Sequence, residues 1–256
     1  MRGMIAVFKK ELAVTFASPI FYAAMFIFLV LSGYFIYSNT AYFNLLSLQA
    51  ASNPYLSERL NLTDMVMKPF FGDLAIILLL MLPLITMRIY AEEKKSGTME
   101  LLFTYPLSDA AALAGKFAAT MLVVFTMLAG TIPYLVILEI LGNLEWGVVI
   151  SGYLGVVFLG GSFVALGIFT SSLTENQIVA AVISFGALLL FWIIGWGAGM
   201  AGPSMAVILK HVSLVSHLES FLQGLIDTRD IVFYLVFTFF WLFLTLRILN
   251  SRFWRG

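Results

Sequence analysis

Four long stretches of the chain contain no acidic or basic residue, and most of their positions are apolar. They cover residues 12–57, 117–138, 146–174 and 176–209. A helix of about 20 apolar residues crosses the hydrocarbon layer of a bilayer, and backbone in lipid has to satisfy its hydrogen bonds within a helix or a closed barrel. The runs are continuous, whereas barrel strands alternate. The pattern therefore predicts an all-α polytopic membrane protein.

These runs, together with two shorter ones, predict six transmembrane helices in a single membrane domain covering residues 1–256. The predicted spans are residues 19–38, 69–90, 113–138, 148–170, 178–200 and 230–249. The second and sixth have charges near both ends, which reach the interface by snorkelling. The first run is too long for the core of a signal peptide, so we expect it to be retained.

Lysine and arginine are distributed unevenly between the two sides of the predicted bundle. Ten lie on the side of the N-terminus: Arg2, Lys9, Lys10, Arg88, Lys94, Lys95, Lys116, Arg247, Arg252 and Arg255. Four lie on the other side: Arg59, Lys68, Lys210 and Arg229. Because basic residues accumulate in cytoplasmic loops, both termini are predicted to be cytoplasmic.

Three segments are predicted to lie outside the spans. Residues 2–17 place Ile5, Phe8, Leu12 and Phe16 on one helical stripe, which is typical of a helix at the membrane surface; an extension of the first span is the alternative. Residues 39–68 are polar enough for an exposed outer loop. Residues 201–229 are too short for two more spans, so we expect short helices that dip into the outer leaflet.

The fourth and fifth spans are rich in glycine, which lets helices approach closely in lipid. The glycines are Gly152, Gly155, Gly160, Gly161 and Gly167, followed by Gly186, Gly195, Gly197 and Gly199. They indicate either helix packing within one subunit or a hinge or subunit seam, and the sequence does not distinguish these.

Composition excludes several classes of function. Charged residues make up 11% of the chain and the net charge is zero, so nucleic acid is not an expected partner. The chain has no cysteine, which excludes disulfides and thiolate metal sites. It also has no G-x-x-x-x-G-K-[ST] loop for nucleotide phosphates and no H-E-x-x-H or G-x-S-x-G motif. The chain is therefore not predicted to be an enzyme or to hold a cofactor.

Five other ionisable side chains have less certain roles: Asp73, Glu139, His211, His217 and Glu219. The spacing of the two histidines is not a recognised metal-ligand pattern, so we expect them to decorate an outer amphipathic helix. A carboxylate at depth in a membrane is a candidate for a conduit. Asp73 and Glu139 are expected in the headgroup zone instead, which argues against an ion-coupled carrier with charges at the midplane.

The stretch "AEEKKSGTMELLFTYPLS" (residues 91–108) concentrates charge in an otherwise apolar chain. The second span is predicted to continue as a helix through Lys95, and Gly97 then permits a sharp reversal. Thr98 is a candidate N-cap for a short helix with Glu100 in its first turn, and Pro106 ends that helix. Its apolar patch, at Met99, Leu101, Leu102 and Phe103, fits either a groove on a partner or the protein's own helix ends.

This stretch resembles the signature of ABC-2 permeases of ATP-binding-cassette transporters: acidic residues, Gly-Thr-x-Glu-x-Leu-Leu, then Pro-Leu-Ser. "SSLTENQIVAAVISF" (171–185) is similar to the second cytoplasmic turn of that family, and "HLESFLQGLIDTRDIVFY" (217–234) to its entry into the last span. The sequences of these motifs look closest to those of the gliding-motility-associated branch, with the nitrous-oxide-reductase maturation permease a near relative.

The resemblance implies an interfacial elbow helix, six spans and a coupling segment at residues 91–112 that docks on a separate ATPase. The residues matching its ATPase-coupling interface are Glu92, Glu93, Gly97, Thr98, Glu100, Leu101, Leu102, Pro106, Glu175, Asn176 and Gln177. It also implies ATP and magnesium on the ATPase, a second permease copy or a sister permease, and the bacterial inner membrane. An accessory periplasmic or membrane protein is a further expected partner.

Two functions fit these features. The first is a permease subunit that moves a substrate with energy from the ATPase. The second is a non-transporting membrane anchor through which an ATPase acts mechanically on a partner complex.

Overall fold

A computed structural model of the protein describes residues 2–50, 61–98 and 108–252. Within these ranges the chain forms eleven α-helices and no strand, which confirms the all-helical prediction. The helices are α1 (Arg2–Ala17), α2 (Pro19–Ala50), α3 (Lys68–Thr86), α4 (Arg88–Lys95), α5 (Asp109–Ala129), α6 (Ile132–Leu141), α7 (Trp146–Leu173), α8 (Gln177–Ile193), α9 (Pro203–Val212), α10 (Leu214–Leu222) and α11 (Thr228–Arg252).

Six segments of the described chain are long and apolar enough to cross a membrane. They are Pro19–Ala50, Thr63–Lys95, Asp109–Leu141, Trp146–Leu173, Gln177–Gly199 and Thr228–Asn250. Five of them include a predicted span and extend beyond it at one end or both, and Gln177–Gly199 is shifted by one residue from the predicted span 178–200. The second and third spans each consist of two helices, α3 with α4 and α5 with α6. The prediction of six spans is confirmed.

Part of the predicted outer loop 39–68 is helical, because α2 continues to Ala50. Thr40 donates its hydroxyl proton to Ile36 O at 2.7 Å, and Ser47 donates to Phe43 O at 2.9 Å. These polar side chains satisfy their hydrogen bonds on the helix itself, so polarity does not end it. A π-helical turn at Thr63–Met67 then leads into α3.

The fourth span, α7, is the central helix of the bundle. Its packing partners include α3, α4, α5, α8, α10 and α11. Its glycines make this possible: a Cβ on Gly152 would collide with the ring of Phe71, and one on Gly155 would lie 2.6 Å from Phe221 Cβ. Gly152 and Gly155 of α7 therefore serve packing within the chain, whereas Gly147 of α7 and Gly186 of α8 have no atom within 4 Å of a Cβ position.

Helix α1 packs along α5 near the start of the third span. A Cβ on Gly115 would lie 2.8 Å from Met4 O, so the absence of a side chain there admits the α1 backbone. The interface buries Val7, while Ile5 of the predicted apolar stripe remains 48% exposed. Phe8, Leu12 and Phe16 of the stripe are half-buried, so the face of α1 that meets the protein combines Val7 with most of the predicted stripe.

The segment before the last span consists of α9 and α10, which are bent by 78° at Ser213. Helix α9 has no buried residue, whereas α10 buries Leu214, His217, Leu218 and Phe221. Helix α10 packs mainly against α7 and also contacts α11. The bent pair of α9 and α10 lies at the end of the bundle opposite α4.

Candidate coupling site

The charged stretch begins on α4, which continues the second span. Gly97 has a φ of 70°, in the left-handed region that favours glycine. Its amide donates to Lys94 O at 3.2 Å, and the Thr98 hydroxyl lies 3.4 Å from Glu93 O, so both residues satisfy carbonyls at the end of α4. Glu100, Leu101, Leu102 and Pro106 lie outside the described residues, as does the short helix that Thr98 is predicted to cap.

The two adjacent glutamates of this stretch have different environments. Glu92 is exposed, whereas Glu93 is 9% exposed and faces the interior. Successive residues of a helix point about 100° apart, so only one of the pair can face α1 and α5. Glu92 is therefore the exposed carboxylate of the pair, and Glu93 belongs to an internal ionic contact.

That contact, here called the inner charge cluster, consists of Lys10, Glu11, Glu93 and Lys116. Lys116 Nζ, whose side chain is fully buried, lies 2.7 Å from Glu11 Oε1 and 2.9 Å from Glu93 Oε1. It also donates to Ile89 O at 3.0 Å. A buried ammonium group is tolerated only when it is paired and hydrogen-bonded, and this one has both kinds of partner. The cluster ties α1, α4 and α5 together.

Lys10 completes the cluster from the exposed side, with Nζ 2.5 Å from Glu93 Oε1 and 3.3 Å from Glu11 Oε1. Partial burial by itself lowers the pKa of Lys10, but the hydrogen bond to Glu93 and the charges of both glutamates outweigh it and raise the pKa above its ordinary value. Two ammonium groups therefore balance two carboxylates. In the sequence, Lys10 and Lys116 served only to orient the spans in the membrane. The available sign of a buried ion pair was the position of Lys116 directly before the uncharged run 117–138.

The second predicted contact is the turn between α7 and α8. Asn176 caps α8: its Oδ1 accepts hydrogen bonds from the amides of Ile178 at 3.0 Å and Val179 at 3.4 Å. Gln177 is the first residue of α8 and is half-buried, while Glu175 is exposed. The Asn176 side chain is thus engaged in shaping the turn, and Glu175 is the charged group that the turn presents.

The helices that lead into the two predicted contacts, α4 and the end of α7, lie next to each other, although about 80 residues separate them in sequence. Ser171, near the end of α7, accepts hydrogen bonds from the amides of Tyr90 at 3.0 Å and Ala91 at 3.1 Å. Lys94 of α4 donates to Ser172 O. The structure therefore places Glu92 and Glu175 at the same end of the bundle. Sequence reasoning included Ser171 only as the first residue of the motif 171–185, because a serine between Thr170 and Ser172 carries no signal of a contact with another helix.

Three of the five other ionisable candidates, His217, Asp73 and Glu139, form side-chain hydrogen bonds. His217 Nδ1 lies 2.6 Å from Asp230 Oδ1, and its Nε2 lies 3.1 Å from His211 O. Asp73 accepts a hydrogen bond from Asn39 Nδ2 at 3.0 Å, and Glu139 accepts one from the amide of Leu144 at 3.2 Å. Among the residues that the structure describes, no group of three or more His, Asp or Glu side chains is arranged to hold a metal ion.

Comparison with known families agrees with this architecture over nearly the whole chain. The model of a family described as "ABC-2 family transporter protein" matches residues 5–250, which include all six spans. No curated protein matches the chain. With an all-helical bundle of six spans and a family match of this extent, the protein belongs to the ABC-2 family of transporter proteins.

Proposed function

We propose that the chain is the membrane permease subunit of an ABC transporter, which moves a substrate with energy from a separate ATPase. The observation that carries this proposal is the joining of two distant motif-bearing segments at one end of the bundle through Ser171 and Lys94. The sequence has no phosphate-binding loop of its own. The ATP and magnesium sites are therefore assigned to the partner.

The docking surface includes the exposed carboxylates Glu92 and Glu175, with Glu100, Leu101 and Leu102 as the expected apolar and acidic contacts beside them. These exposed carboxylates can pair with basic side chains of the ATPase, because complementary charge steers association and fixes register. Glu93 contributes indirectly, by anchoring α4 to α1 and α5 through the inner charge cluster.

Further partners are proposed along the membrane-facing sides. In the most apolar part of the spans formed by α2, α8 and α11, 22%, 22% and 11% of the residues are buried, against 72% for α7. These faces are available to lipid, to a second permease copy or sister permease, and to an accessory membrane protein. The excess of basic residues at the α4 end supports cytoplasmic termini and the bacterial inner membrane. Membership of the gliding-motility branch is a hypothesis supported by the motif wording alone.

Co-purification tests the ATPase partnership. The tagged chain is purified from its native membrane in mild detergent, and bound proteins are identified by mass spectrometry and assayed for ATP hydrolysis. We expect a nucleotide-binding subunit to co-purify, and its yield to fall in Glu175→Lys. Glu219→Lys, an exposed carboxylate at the opposite end of the bundle, is the matched control. A wild-type chain that retains no nucleotide-binding subunit would contradict the proposal.

Liposome assays separate a permease from a non-transporting anchor. In a complex reconstituted with its ATPase, substrate-stimulated ATP hydrolysis is expected of a permease. Glu100→Lys is expected to uncouple hydrolysis from transport while leaving the membrane fold intact. Hydrolysis that responds only to a partner complex would favour the anchor instead.

A further inference from the structure

The hydroxyl of Ser171 makes three hydrogen bonds to the backbone of another span. It accepts from the amides of Tyr90 at 3.0 Å and Ala91 at 3.1 Å, and it donates to Met87 O at 2.7 Å. Ser171 has no exposed surface. A single side chain of the fourth span thus satisfies three backbone groups at the point where the second span passes from α3 to α4.

This position needs a hydrogen-bond partner, because the first amides of a helix have none within the helix. Serine at the N-cap usually supplies the missing acceptor. At the start of α4 the N-cap is Met87, whose side chain makes no capping hydrogen bond. Ser171 takes over the role from a different helix, so the capping of α4 depends on the position of α7.

Two neighbouring contacts hold the same helices together. Gly167, one turn before Ser171 on α7, faces Thr86, and a Cβ there would lie 2.8 Å from Thr86 Cβ. Residues four apart lie on one face of a helix, so this close approach brings the Ser171 hydroxyl within reach of α4. On the other side of Ser171, the carbonyl of Ser172 accepts a hydrogen bond from Lys94.

We propose that Ser171 is a positioning residue that caps α4 and joins the roots of the two coupling segments, so that a displacement of one segment moves the other. Helix α4 ends two residues before Gly97, and α7 ends two residues after Ser171, where the second turn begins. The hydrogen bonds between Ser171 and the start of α4 are here called the joint. The force that an ATPase applies to either segment would therefore reach both spans through this joint. The relevance to transport rests on the proposed function, whereas the joint itself does not.

The joint is testable without an ATPase or a substrate. The chain contains no cysteine, so Glu92→Cys with Glu175→Cys introduces two spin labels at exposed sites of the two segments without further changes. The distance distribution between them is measured by pulsed electron resonance on the full chain in liposomes. Adding Ser171→Ala is expected to broaden the distribution and shift it to longer distances. A distribution equal to that of the parent pair would overturn the proposal.

Ser172→Ala is the matched control. Ser172 is adjacent and equally buried, but its hydroxyl donates only to Phe169 O of its own helix, at 2.7 Å. The Lys94 contact uses the Ser172 carbonyl, which the substitution retains. The distance distribution is therefore expected to stay unchanged in Ser172→Ala. A broadening equal to that of Ser171→Ala would mean that any loss of packing at this helix end loosens the segments.

Hydrogen exchange gives a second, local readout. Ser171→Ala is expected to speed exchange of the amides of Tyr90 and Ala91 by about 2- to 30-fold, the factor that corresponds to loss of a helix cap. Ser171→Thr keeps the hydroxyl and should restore slow exchange. If Ser171→Ala speeds exchange throughout the bundle and Ser171→Thr does so equally, Ser171 is a packing residue and the proposal is wrong.

The two proposals fail separately. If Ser171→Ala broadens the distance distribution in the labelled chain but the wild-type chain retains no ATPase, the joint stands and the proposed function is contradicted. An unchanged distribution in a chain that does retain the ATPase would contradict only the joint.

Discussion

Replacing Gly167 with alanine tests the closest contact between the second and fourth spans. The added Cβ would lie 2.8 Å from Thr86 Cβ, 3.1 Å from its Cγ2 and closer still to its Oγ1. Thr86 is fully buried, and its hydroxyl donates to Leu82 O at 2.8 Å, so rotation away from the new methyl group breaks a buried hydrogen bond. The expected result is separation of α3 from α7 at the level of Thr86.

The magnitude follows from two opposing contributions. Overpacking a filled interior costs about 1–3 kcal/mol, and the three short distances to a fixed, β-branched side chain favour the upper half of that range. Alanine in place of glycine within a helix stabilises by about 0.5–1 kcal/mol. We therefore expect the free energy of unfolding of Gly167→Ala to fall by about 1–2.5 kcal/mol.

Gly186→Ala is the matched control, because Gly186 also lies inside an apolar span but has no atom within 4 Å of a Cβ position. It is expected to be stabilised by about 0.5–1 kcal/mol. Since the helix contribution is common to both variants, their difference of about 2–3 kcal/mol isolates the steric clash. The assay is reversible unfolding in mixed micelles, followed by the fluorescence of the five tryptophans.

The double variant Thr86→Ala with Gly167→Ala decides whether the cause is the contact itself. Removing Cγ2 and Oγ1 of Thr86 gives the new methyl group space, so the double variant should be more stable than additivity predicts. Equal stability of Gly167→Ala and Gly186→Ala would refute the argument, as would strict additivity in the double variant.

Four further variants address the inner charge cluster, the cap of α8 and the buried His217. Lys116→Met leaves two carboxylates without their buried cation and should lower the free energy of unfolding by about 3–5 kcal/mol; Lys10→Met, whose side chain is 50% exposed, should cost less than about 1 kcal/mol in the same unfolding assay. Asn176→Ala removes the α8 cap and should cost about 0.5–2 kcal/mol, with faster hydrogen exchange confined to the first turn of α8. His217 stacks on Phe233 with ring centroids 3.8 Å apart. His217→Phe keeps an aromatic ring there but leaves Asp230 buried without its hydrogen bond, and a loss of about 1.5–3 kcal/mol is expected. Near-equal losses for Lys116→Met and Lys10→Met would show that burial of the ammonium group does not matter, and unaltered stability in the other two variants would remove the roles assigned to those side chains.

Local patterns were sufficient to predict the helical bundle, the six spans and the need for a glycine at position 97. Apolar length, flanking charge and the conformational freedom of glycine act over one segment at a time, so each can be read without the rest of the chain. The length of α2 was underestimated for the same reason. Its outer residues are polar, and the sequence did not show that Thr40 and Ser47 would satisfy their hydroxyls on the helix itself.

The sequence by itself determined the membrane architecture and the absence of a nucleotide-binding loop, because both depend on residue type and local spacing. The tertiary structure decided how the candidate site is assembled. Glu92 and Glu93 are equivalent as sequence, but only Glu93 meets Lys10 and Lys116. The partners of this site lie far apart in the chain: 105 positions separate Glu11 from Lys116, and 81 separate Tyr90 from Ser171. Contacts over such distances depend on which helix faces meet, and glycines such as Gly115 and Gly167 determine that by leaving space for the neighbouring helix.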